Sequence, residues 1–166
     1  MLIESVVPQR IGRDWIVRHI PHGGAMCLID SVAAWDANRI QCLTRTHAHA
    51  DNPLRAQNRL GALCGVEYAA QAAAIHGAIL SARVGQRTDP ARIMQGFLVA
   101  LRDVESHVER LDKLPQELEI VATRIAALPG GASYTYVICH ASDTVQTGRM
   151  TLKFAAAAAD DSGADD

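Results

Sequence analysis

Apolar positions fall into three regimes along this chain. Up to about residue 46 they come in short bursts broken by Gly, Pro and Asn; from Asn58 to Ala82 they cover most of a helical circumference; beyond Ile93 they alternate with polar residues in long runs. The middle stretch, NRLGALCGVEYAAQAAAIHGAILSA, is Ala-rich and free of Pro, which predicts a helix buried on nearly every side. It is predicted to end near Ala82, where Gly85 and the polar run to Pro90 stop it.

The flanking elements follow from turn chemistry. Trp15 to Ile20 reads as a short strand or approach segment ended by Pro21, and His22-Gly23-Gly24 as a corner where the backbone can take positive φ. Ser31–Trp35 and Arg39–Thr46 form a hairpin around Asp36-Ala37-Asn38, and Asp51-Asn52-Pro53 and Asn58 are turn or helix-start signals. After the helix, strands are expected over Ile93 to Val108, bent or bulged near Gly96, then Glu117 to Leu128, Ala132 to Ala141 and Val145 to Phe154. Strands, one long apolar helix and further long strands make an α+β order in which an antiparallel sheet can wrap the helix. Residues 1–154 are read as one domain and the Ala- and Asp-rich stretch 155–166 as a disordered tail.

Composition narrows the partners. The 166 residues carry a net charge of −2 with no Lys/Arg cluster interleaved with aromatics, so a nucleic-acid interface is not expected, nor a membrane-surface helix. The N-terminus lacks an apolar core of signal-peptide length, and Glu67, Gln71 and His76 make the apolar helix a poor lipid-facing span. Cys27, Cys42, Cys64 and Cys139 form no CxxC pair and sit among apolar residues, which reads as reduced thiols in the cytoplasm. Gly-rich phosphate loops and GxSxG elbows are missing, and no cofactor is expected.

Glu67 is the residue that most needs explaining, because a carboxylate among Ala, Leu, Val and Cys is costly unless it is satisfied or used. Gln71 lies one turn further on the same face. His22 is either a capping and packing residue or a reactive one. His47 and His49, two apart, would point the same way on a strand, but a third metal ligand at a recognisable spacing is missing and no metal site is expected. His76 falls near the opposite side of the helix from Glu67, and Arg55 and Arg59 read as solvated charges or as partners of an anionic group.

Three segments carry a resemblance: IPHGGAMCLIDSV, then GVEYAAQ inside the helix, then GFLVALRDVESHVERLDKLP. Together they resemble the hotdog-fold (3R)-hydroxyacyl-acyl-carrier-protein dehydratases, in the subgroup associated with fatty-acid, polyketide and aryl-polyene synthesis. The resemblance covers nearly the whole chain except the tail. It implies a hotdog fold, a long central helix wrapped by a curved antiparallel sheet, and dehydration of 3-hydroxyacyl thioesters on acyl carrier protein to trans-2-enoyl thioesters. It also implies a homodimer, or a heterodimer with a related hotdog subunit. The family's helix carboxylate and glutamine fall on Glu67 and Gln71. Its Gly-His-Phe-Pro-Gly motif does not carry over, since NPLRAQNRLGAL stands in that region without a histidine.

Such a dehydration needs a base for the proton beside the thioester carbonyl and an acid for the departing hydroxyl. Burial should raise the Glu67 pKa, which suits Glu67 as the acid. His22 is the first candidate base, with His47 and His49 as substitutes. Backbone N–H groups around Gly65 and Val66 are the expected support for the thioester oxygen, and Gln71 could orient Glu67 or the substrate hydroxyl. A hotdog thioesterase and a non-catalytic partner subunit are the alternatives.

Overall fold

The computed structural model describes residues 10–83 and 94–156. The residues preceding Arg10, the helix-ending signal Gly85 to Pro90, and most of the expected tail lie outside the described residues. Seven strands make one antiparallel sheet: β1 (Ile11–Gly12), β2 (Ser31–Trp35), β3 (Arg39–Thr44), β4 (Met94–Ser106), β5 (Leu118–Leu128), β6 (Gly131–His140) and β7 (Asp143–Ala156), in the order β1-β2-β3-β5-β6-β7-β4. Two helices, α1 (Arg13–His19) and α2 (Gly65–Arg83), complete it, and α2 packs against β3, β4, β5, β6 and β7. This is the hotdog arrangement.

The wrapping explains the composition of α2. Tyr68, Ala69, Ala72, Ala73 and Ile75 are fully buried, and the less buried positions Leu63, Glu67, Ala70 and Ala74 recur every three to four residues along one stripe. Small residues let the sheet approach closely. By length and composition the segment Ala62–Arg83 is apolar enough to cross a membrane, but 56% of its most apolar window is buried inside the domain, as befits a core helix.

The hairpin expected around Asp36 is present, with Asp36 Oδ1 accepting from Asn38 N–H at 2.7 Å and Arg39 N–H at 2.9 Å. The later strands stand close to their expected positions, and β4 carries register shifts at Leu98/Ala100 and Arg102/Glu105. Three expectations need correction. Trp15 to Ile20 belongs to a helix and its cap rather than to a strand: Ile16 and Ile20 are buried one turn apart, the Trp15 and His19 rings stack at 3.8 Å, and Asp14, Arg18 and His19 sit at the ends where the helix dipole favours them. The long helix starts later than Asn58. Gln57 and Asn58 hold φ of 51° and 59° in a tight turn closed by Ala56 and Arg59, while Leu60, Gly61 and Ala62 are drawn into bridging bonds with Glu109, Arg110 and Leu111. Finally, β7 runs on to Ala156, pairing Ala155 with Gln95 and Ala156 with Met94, two residues beyond the expected strand end at Phe154.

Candidate active site

Glu67 enters the first turn of α2 on its less buried face, and the turn that follows α1 folds over it. His22 Nε2 stands 3.3 Å from Glu67 Oε1, with the two side chains 25% and 35% exposed, so the pair is reachable from solvent. A carboxylate oxygen can only accept, hence Nε2 carries the shared proton. His22 Nδ1 is buried without a partner.

The turn is held by Gln71. Its Nε2 donates to Met26 O at 2.8 Å and to Glu67 Oε1 at 3.0 Å, while its Oε1 accepts from Leu28 N–H at 2.9 Å. Gln71 is fully buried, and both of its Nε2 protons and one lone pair of its Oε1 are used within the protein, so it orients Glu67 and the turn. Gly24, at φ of 57°, takes the corner that the two glycines announced, and Arg13 ties it down by donating to Gly24 O at 3.2 Å and to Asp30 at 3.2 Å.

The protonation expected of Glu67 is reversed. Burial pushes its carboxyl up, but the hydrogen bonds from His22 and Gln71 and the charge of protonated His22 outweigh burial and hold the carboxyl below its ordinary value. A half-open carboxylate with two donors stays ionised. The sequence shows the apolar helix and Gln71 on it, but not the turn that brings His22.

Gly65 and Val66, expected to offer backbone N–H groups, open the long helix. Both are buried, and Gly65 N–H is used on Ala62 O and Leu63 O, so it is not free for a thioester oxygen. The bare Cα of Gly65 admits the sheet: a Cβ there would stand 2.7 Å from Gln146 Oε1 and 2.9 Å from Ile138 Cδ1. Gln146, which nothing local in the sequence marks, is fully buried and joins helix to sheet through Ala62 O at 2.8 Å, Ser106 Oγ at 2.9 Å and the Tyr136 hydroxyl at 3.0 Å.

The other histidines are kept apart from the pair by their own partners. His47 lies in a short 3₁₀ turn, buried and donating Nε2–H to Leu114 O at 3.0 Å, while His49 is exposed, so the two do not share a face. His76 is buried on the far side of α2 between Asp36 O at 2.8 Å and the Tyr134 hydroxyl at 3.0 Å. Among the described residues, no group of three or more His, Cys, Asp or Glu side chains is placed to hold a metal ion. A cavity of about 360 Å³ lies elsewhere, lined by Arg13, Asp30, Thr46, His49 and Asn52 among others. Of these, Arg13, Asp30, Thr46 and Asn52 already bond to protein groups. Two exposed apolar residues close in the chain to the pair were missed from sequence, Met26 at 37% and Leu63 at 68% exposure. Leu63, one turn before Glu67 in an apolar run, was the available signal.

A wrapped helix presenting a carboxylate on its open stripe, faced by an imidazole from the turn after α1, gives this hotdog protein an ionisable pair on that face. The ApeP-like family model, described as ApeP dehydratase, matches residues 15–160, and the chain belongs to that family. Among solved structures, it is similar to the dehydratase heterocomplex ApeI:P from Xenorhabdus doucetiae, at 20% identity and TM-score 0.73 over 89% of this chain and 90% of that one. Zebra fish thioesterase superfamily member 2 matches at 13% identity and TM-score 0.56 over 86% and 94%, and a mutant thioesterase from Pseudomonas aeruginosa at 11% and 0.52 over 78% and 82%. None of the curated proteins compared with this chain matches it in sequence.

Proposed function

We propose that this protein dehydrates 3-hydroxyacyl thioesters, carried on acyl carrier protein, to trans-2-enoyl thioesters in fatty-acid, polyketide or aryl-polyene-type synthesis. The observation that carries this reading is the His22–Glu67 pair, one proton shared across 3.3 Å on an open, apolar-flanked face. Elimination needs a proton acceptor and a proton donor a few ångströms apart, and the pair supplies both.

The roles run opposite to the expectation from sequence. Glu67 is ionised, and both of its contacts fall on Oε1, so Oε2 is the oxygen placed to take the proton from the carbon beside the thioester carbonyl. His22 Nε2–H protonates the departing β-hydroxyl, the C–O bond breaks, and water leaves. The proton on Glu67 then crosses to His22 Nε2 and restores the pair. Leu63, four residues before Glu67, and Met26, four residues after His22, expose apolar side chains suited to an acyl chain. The free thiols of all four cysteines agree with a reducing cytoplasm.

A second hotdog subunit, a copy or a relative, completes the assembly through β4. This strand lies at the sheet edge with Phe97, Leu98, Val99 and Leu101 exposed on both of its faces, a surface that demands cover. The ApeI:P structure is itself a heterocomplex of dehydratase subunits.

The test is incubation of the pure protein, alone and with a related hotdog subunit, with a 3-hydroxyacyl thioester while enoyl absorbance and free thiol are followed. Enoyl product is expected. Thiol release without enoyl product would make the protein a thioesterase, and neither product would make it a non-catalytic subunit; each overturns the proposal.

A further inference from the structure

Leu28, just beyond the His22 turn, has both of its backbone polar groups bonded. Thr44 Oγ1 and Thr46 Oγ1 donate to its carbonyl at 2.6 Å and 2.7 Å, and its N–H donates to Gln71. Counting protons fixes a direction. Thr46 has one hydroxyl proton and spends it on Leu28, so in its 3.0 Å contact with Tyr68 the tyrosine is the donor. The Tyr68 oxygen accepts from Asn52 Nδ2 at 2.9 Å, and Asn52 Oδ1 accepts from Leu54 N–H at 2.9 Å, which fixes the amide's orientation. At the other end, Gln71 Nε2 donates to Glu67. The links therefore run from Asn52 through Tyr68 and Thr46 to the Leu28 carbonyl, and from the Leu28 N–H, in the adjacent peptide group, through Gln71 to the Glu67 carboxylate.

All of the side chains between the two ends are buried. Like-directed hydrogen bonds in a dry interior polarise one another from Asn52 to the Leu28 carbonyl; the Leu28 N–H belongs to the neighbouring peptide group, so beyond Leu28 the run acts by fixing the position of the backbone. Burial also pushes the Tyr68 phenol up, which keeps its proton in place.

We infer that Tyr68 is a positioning residue, which through Thr46 and the Leu28 backbone holds the His22 turn, and with it the contacts of His22 and Gln71, against Glu67. The inference rests on reading Glu67 and His22 as the reacting pair. His22, on the turn packed over α2, is the titratable group facing Glu67, so the Glu67 titration reports on both links.

The test compares Tyr68→Phe, Thr46→Val and Thr46→Ser with the parent, by carbon-13 NMR titration of the Glu67 carboxyl in the substrate-free protein and by kcat and KM. Tyr68→Phe and Thr46→Val are expected to raise the Glu67 titration midpoint and to lower kcat about tenfold with KM little changed, the size seen when groups supporting a reacting side chain are removed. Thr46→Ser, which keeps the hydroxyl, is expected to match the parent. An unmoved midpoint in Tyr68→Phe, with loss of thermal stability alone, would overturn the inference; if that variant does not fold, the Thr46 pair decides by the same criterion. A parent without dehydratase activity would sink the proposed function, and the titration would still decide the relay.

Discussion

His22 and Gln71 reach the same oxygen of Glu67, at 3.3 Å and 3.0 Å, although one comes from a Gly-rich turn and the other from the next turn of the helix. The turn is fixed to the helix by Gln71 itself, so one amide both orients the carboxylate and sets where the imidazole stands. That coupling makes the pair sensitive to single substitutions in predictable directions.

Glu67→Gln keeps the side-chain shape and removes the proton acceptor. Turnover should fall by about 10²–10⁴-fold, the worth of a positioned acid or base, while the circular-dichroism melting curve stays near that of the parent. Retained turnover would take Glu67 out of the mechanism.

His22→Ala removes the stronger of the two influences that oppose burial at Glu67. The carboxyl should then titrate at higher pH than in the parent, because burial raises it and only Gln71 still holds it down. Carbon-13 NMR of the Glu67 carboxyl checks this, and a midpoint that stays or falls would show that the 3.3 Å contact does not persist in solution.

Much of the fold was legible because its main signals are local: an apolar run without Pro, alternation in β5 to β7, and an Asp-led hairpin turn. The site was legible less fully, for reasons that are long-range. Glu67 and Gln71 are separated by one helical turn and can be paired on paper, but the ionised state of Glu67 depends on a turn far away in the chain. Gly65 reads as room for a ligand until β7 delivers Gln146 into that room. Trp15 to Ile20 misleads because its aromatic and β-branched residues favour strands by propensity, and only the i, i+4 pairs Trp15/His19 and Ile16/Ile20 speak for a helix.

Gly65→Ala puts a methyl 2.7 Å from Gln146 Oε1, and Gln146 cannot swing aside without breaking its bonds to Ala62, Ser106 and Tyr136. A loss of about 1–3 kcal/mol is expected, as for other overpacked sites. Chemical denaturation measures it, and a neutral result would mean that the helix start is less tightly seated than its hydrogen bonds indicate.

The exposed edge gives a prediction about assembly. Val99 sits in the register shift of β4 and is 57% exposed, so Val99→Lys leaves the core untouched and adds charge to the surface proposed to be covered. Light scattering should show loss of the two-subunit species with little change in the melting temperature of the single chain. An intact two-subunit species would move the interface elsewhere.

Acid should weaken the fold through two buried histidines outside the site, His47 and His76. His76 must donate Nε2–H to Asp36 O, a pure acceptor, and therefore takes the Tyr134 hydroxyl proton on Nδ1 in its neutral form. Burial pushes its pKa below the ordinary 6.5, and the same cause acts first on His47, whose Nδ1 is buried without a partner. The unfolded chain therefore binds more protons than the folded one once the pH drops below that ordinary value. Stability from these two groups is complete above pH 6.5 and drains as the pH falls toward their folded values. The melting temperature should decline between neutral pH and about 5, where the carboxylates with ordinary titration are still ionised. His76→Gln, which keeps a donor for Asp36 O and an acceptor for Tyr134 but cannot charge, should flatten that decline; a variant as acid-sensitive as the parent would remove His76 as its source.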